Sequence, residues 1–118
     1  MLNIPYINMP GQAAAGQSVT IEVVMESQGA VWATCKTELD GIRITGRDPT
    51  WIFMTPGVRA SFFFDFVMPS HDAVIFLTPQ WIDSSIGQVI DEATGTVTIR
   101  LITIQGKARS MEVGYAKV

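Results

Sequence analysis

Side chains able to do chemistry are scarce in this chain. It has one histidine, His71, and one cysteine, Cys35. A single cysteine excludes an intrachain disulfide and with it the framework of an antibody domain. Zinc asks for about four ligands, usually drawn from Cys and His, and one of each does not supply them. Nucleophilic catalysis needs a nucleophile with a base in reach. His71 stands in a turn beside Asp72, which offers no such pair. Glycine-rich phosphate loops and the nucleophile elbow of serine hydrolases are also missing. The expectation is a protein that is not an enzyme and has no cofactor and no metal. Calcium needs only oxygen ligands. Asp83, Asp91 and Glu92 share one segment, but without a calcium-loop spacing they read as solvated loop acids.

Charge is also sparse. Charged residues make up 16% of the chain, against about 25% in an average soluble domain. The net charge is −3 and the eight Lys and Arg residues are scattered. Nucleic-acid binders cluster their cations against phosphates, so no nucleic-acid partner is expected. No apolar run approaches the roughly 18 residues of a membrane span, so no membrane insertion is expected either. The opening Met1-Leu2-Asn3-Ile4-Pro5-Tyr6 lacks the basic start and apolar block of a signal peptide.

What the chain does have is apolar residues, 47% of the total, arranged with a period of two. That period belongs to strands. Val19, Ile21, Val23 and Met25 alternate with polar residues between Gly16 and Gly29. Leu2 to Asn8 reads as an edge strand, since Pro5 lacks an amide donor, and Gly11 to Gly16 as a loop. Ala30 to Leu39 places Val31, Ala33, Cys35 and Leu39 on one face and Trp32, Thr34, Lys36 and Glu38 on the other, with Cys35 a buried, inert thiol. Asp40-Gly41 then predicts a tight hairpin into Ile42-Arg43-Ile44, because both turn positions must tolerate positive φ. A short strand is expected at Trp51 to Met54. In Val58 to Met68, Phe62, Phe64, Phe66 and Met68 share the inward face. Ala73 to Leu77 reads as a run buried on both faces and ended by Pro79. Asp83 to Thr94 reads as a long loop, and Thr96 to Ile104 as the last core strand. Residues 1–105 form the expected domain, with 106–118 a tail or an extra edge strand. Seven or eight such strands and no helical period predict an antiparallel β-sandwich.

The run Phe64-Asp65-Phe66-Val67-Met68-Pro69-Ser70-His71-Asp72-Ala73-Val74-Ile75, with Trp81 after it, resembles immunoglobulin-like modules of microbial surface and virus-associated structural proteins. Gly16-Gln17-Ser18-Val19-Thr20-Ile21 resembles their first strands. The resemblance covers about half the chain. It implies an immunoglobulin-like sandwich rather than any catalytic residue.

Several apolar residues oppose the inward register. Phe63 and Val67 point away from Phe62 and Phe64, Val24 away from Val23 and Met25, and Ile102 and Ile104 away from Val97, Ile99 and Leu101. With Met111 and Tyr115 of the tail, they make up a candidate protein interface. Interfaces favour aromatics and Met and deplete Lys and Glu at their centres. The leading expectation is a structural or assembly protein, a virion component such as a capsid decoration, fibre or tail-associated module. It would work through a protein partner, self-association or lattice attachment, at the virion or an extracellular surface. The alternative is a carbohydrate-binding or adhesion module in which Trp32, Trp51 and Trp81 stack on a glycan.

Overall fold

Alternation of apolar and polar side chains produces ten strands in the computed structural model, which describes residues 1–103 and has no helix among them. In chain order they are β1 (Leu2–Asn8), β2 (Gln12–Ala14), β3 (Ser18–Ser27), β4 (Val31–Leu39), β5 (Ile42–Ile44), β6 (Ile52–Met54), β7 (Arg59–Val67), β8 (Ala73–Asp83), β9 (Gln88–Asp91) and β10 (Gly95–Ile102). The smaller sheet has the order β1-β3-β7. The larger runs β2-β10-β8-β4-β5, with β6 also on β4 and β9 also on β8. Their inner faces share one core, in which Ile21, Val23 and Met25 of β3 and Phe62 and Phe64 of β7 meet Cys35, Ile75, Leu77 and Ile99 of the larger sheet. The chain is therefore an all-β protein of two packed sheets.

The local signals land where the pattern puts them. β1 is an edge strand of the smaller sheet. Its register shifts between Asn3 and Tyr6, around Pro5, a place where a missing amide costs no ladder bond. Asp40 and Gly41 take φ of 55° and 76° and turn β4 into β5, as a two-residue hairpin requires.

Five expectations are corrected. Part of the Gly11 to Gly16 loop is a strand, β2, which pairs with β10 in parallel, whereas the other ladders are antiparallel. The Asp83 to Thr94 segment contains β9, which folds back on β8 through a turn with Gly87 at φ 67°. With β2 and β9 the strands among the described residues number ten, not seven or eight. The Ala73 to Leu77 run is not buried on both faces, because Val74 and Phe76 alternate outward and are exposed.

Pro79 does not end its strand either: β8 continues to Asp83. The reason lies in which side the proline nitrogen faces. The Pro79 carbonyl accepts from the Glu92 amide at 2.8 Å, away from β4. The nitrogen of the same residue faces that side too. There β10 stops pairing at Leu77 and β9 begins at Gln80, so the missing donor falls in a gap between two neighbours.

Candidate interaction surface

The outer face of the smaller sheet carries three of the residues singled out by register. Val24 does not belong to a free surface: it is 3% exposed, set between Tyr6 of β1 and Ser61 of β7. Tyr6 lies beneath the Arg59 guanidinium, 5.8 Å from its ring centre, and Arg59 pairs with Glu26. Alternation assigned Val24 to the outside correctly but said nothing about these covering neighbours. Phe63 is 36% exposed and lies under the Arg47 guanidinium at 5.3 Å. Val67, at 63%, is open to solvent.

The rest of this face is polar and internally satisfied. Arg47 donates through Nε and Nη2 to the two carboxylate oxygens of Asp65, both at 2.7 Å, and the Thr20 hydroxyl donates to Asp65 at 2.6 Å. Those bonds, Arg47 first and Thr20 second, hold the Asp65 carboxyl down to about 2. Ser61 donates to Glu22 at 2.6 Å. A face whose charges already have partners offers little to a new one.

The remaining candidates scatter. Ile102 is half-buried opposite Ala14 of β2. Ile104, Met111 and Tyr115 lie outside the described residues. The three tryptophans do not converge. Trp81 stands opposite Ala33 on the inner face, packs on the core and donates from Nε1 to Glu92 at 2.8 Å. Burial opposes ionisation of Glu92, but bonds from Trp81, the Leu2 amide and the N-terminal ammonium outweigh it and lower its pKa. Trp51 is half-buried in the segment before β6. Only Trp32 lies outward and exposed.

Trp32 belongs to a surface that register reading along single strands did not assemble. On the outer face of the larger sheet it pairs with Phe53 of β6, ring centres 5.4 Å apart in an edge-to-face arrangement. Ala33 pairs with Trp81, so the next rung sets Ile82 beside Trp32, and Ile82 in turn pairs with Val89 of β9. Phe53, Trp32, Ile82 and Val89 thus form one apolar rung across four neighbouring strands. Phe53, Trp32 and Val89 are each 50% exposed. The next rung is polar, with Gln80 donating to Asp91 at 2.8 Å. Beyond it on the same face lie Lys36 and Glu38, and then exposed Phe76 and Val74. The signal for this rung was present in the sequence as the outward Trp32. Its extent depends on strand neighbours that the sequence does not announce.

Elsewhere the titratable groups are structural. Burial pushes the Cys35 thiol up to about 11, against a weaker opposing hydrogen bond from Thr37, so the thiol stays protonated. His71 meets the Asp72 carbonyl through Nδ1 at 2.9 Å and Asp40 through Nε2 at 3.0 Å, tying two turns together. Among the described residues no three His, Cys, Asp or Glu side chains gather in a way that would hold a metal ion. No protein-family model matches the chain, and a search of curated proteins finds no match.

Proposed function

We propose that this chain is a non-enzymatic assembly module of immunoglobulin-like type that associates through the outer face of its larger sheet, with a second copy of itself as the first partner. The supporting observation is the rung Phe53–Trp32–Ile82–Val89, which leaves two aromatics and a valine half in water across four strands. Burying such a rung against apolar surface is favourable by roughly 25 cal/mol for each Å² removed from water. The flanking charges suit a copy of the same face, because Lys36 and Arg100 stand among Glu38 and Asp91. The sequence pattern from Phe64 to Ile75 favours a virion setting, as a decoration, fibre or tail-associated component.

Light scattering on the full chain, wild type and Trp32→Glu, tests the proposal. The wild type is expected to form a defined oligomer at micromolar concentration, which the substitution dissociates while the fold is kept. A wild-type chain that stays monomeric at hundreds of micromolar, with no affinity for a particle, refutes it.

A second reading has one observation in its favour. Trp32 is a half-exposed ring beside the hydrogen-bonding pair Gln80 and Asp91, an arrangement able to stack on a sugar and bind its hydroxyls. Quenching or shift of tryptophan emission by glycans in wild type but not in Trp32→Ala would favour this reading over self-association.

A further inference from the structure

The outer edge of β4 is interrupted. β6 pairs with residues Val31 to Ala33 and β5 with Thr37 to Leu39, and nothing pairs with Cys35 on that side. Two independent observations set the direction of its backbone. Leu39 and Ile42 close a two-residue hairpin, so the Leu39 N–H and C=O face β5. Alternation then turns those of Thr37, Cys35 and Ala33 to the same side. On the opposite side Cys35 stands against Pro79, which has no amide hydrogen and whose carbonyl is taken by Glu92. The Cys35 residue is buried, and its N–H and C=O face the side on which neither β5 nor β6 pairs with it. A buried backbone pair of that kind is uncommon and marks a place where a further group belongs.

That gap opens into a cleft of about 270 Å³ between the two sheets. Its apolar walls include Trp51, Phe62 and Phe64, and Arg43 and Arg47 stand at its rim. Arg47 is held by Asp65. Arg43 makes no ion pair among the described residues, although it is paired in register with Glu38. The Thr34 hydroxyl donates to the Thr50 carbonyl at 2.6 Å and holds the loop that roofs the cleft. The cleft therefore offers one backbone donor, one backbone acceptor, an aromatic wall and a free guanidinium. The Cys35 thiol, kept protonated, contributes only apolar surface.

We propose that this cleft binds an N-acylated apolar amino acid or the equivalent peptide C-terminus. The amide completes the missing ladder rung at Cys35, the side chain lies against Trp51 and Phe62, and the carboxylate meets Arg43. A peptide unit supplies an acceptor and a donor in the spacing that a strand neighbour would. Guanidinium recognises carboxylate through a planar fork. This site is separate from the apolar rung and does not depend on it.

The test uses the full chain labelled with nitrogen-15 and two probes, N-acetyl-phenylalanine and its uncharged primary amide. The acid is expected to shift the Cys35 amide resonance and those of residues 43–51. The uncharged amide is expected to bind about tenfold more weakly, as loss of a charge-assisted bond implies. Arg43→Gln should remove the advantage of the acid and leave the weak binding of the amide. Arg43 is exposed, so an unchanged spectrum elsewhere verifies the fold of the variant. Three results overturn the proposal: no Cys35 shift with tens of millimolar acid, equal binding of the two probes, or an acid preference that survives Arg43→Gln.

Discussion

Val24→Ala separates what strand alternation says from what the assembled sheet does. By alternation Val24 points out of the sandwich, and a solvent-facing Val→Ala change costs little beyond strand propensity, within about 1 kcal/mol. In the structure Val24 is 3% exposed, with Tyr6 and Ser61 as its ladder neighbours. Two methyl groups are lost, each worth about 0.8 kcal/mol of transfer free energy, and the space left behind adds to that. The expected cost is about 2 kcal/mol, or a fall in Tm of roughly 8 °C for a domain of this size. Val67→Ala is the control: it lies on the same outer face but is 63% exposed, so it reports propensity without burial. Urea unfolding followed by tryptophan emission measures both. If the two substitutions destabilise equally, Val24 is not buried in solution and the cover from Tyr6 is wrong.

Two further predictions concern the titratable groups. His71 has its pKa raised, first by the hydrogen bond to the Asp72 carbonyl and also by Asp40, which together overcome the opposing cost of desolvation. A raised folded pKa gives stability that is fully present below the unfolded value and lost as pH rises through the folded one. The urea midpoint of the wild type should therefore fall across neutral pH relative to His71→Gln, and parallel pH profiles would refute the clip between the two turns. Cys35, buried and with its thiol pushed up to about 11, should react with a disulfide reagent only on unfolding. Rapid modification of the native protein at pH 8 would contradict its burial.

Much of the fold was legible because its signals are local. The faces of β3, β4 and β7 follow from alternation, and Phe62, Phe64 and Met68 are buried as their spacing implies. The hairpin at Asp40-Gly41 follows from the φ that its residues tolerate. β2 was not legible, because three residues rich in alanine carry no periodicity and pair only because β10 passes beside them. Pro79 misled for a related reason. A proline is incompatible with a ladder bond, and whether one is required at that position depends on where β10 ends and β9 begins.

The candidate surface divides in the same way. The sequence located Trp32, Phe63 and Val67 on outward positions, and they are exposed. It could not show that Arg47 lies over Phe63, or that Tyr6 sits beside Val24. Nor could it align Phe53, Trp32, Ile82 and Val89, which come from four strands separated by long stretches of chain.

The sequence by itself determined that the chain is all-β, which residues face the core on the long strands, and that groups for metal or covalent chemistry are few. Those are properties of residue type and period. The tertiary structure alone decided which strands are neighbours, and therefore which outward residues are covered, where the apolar rung runs and where the β4 ladder is broken at Cys35. Cross-strand contacts depend on register between distant segments, and a period of two is the same in every register.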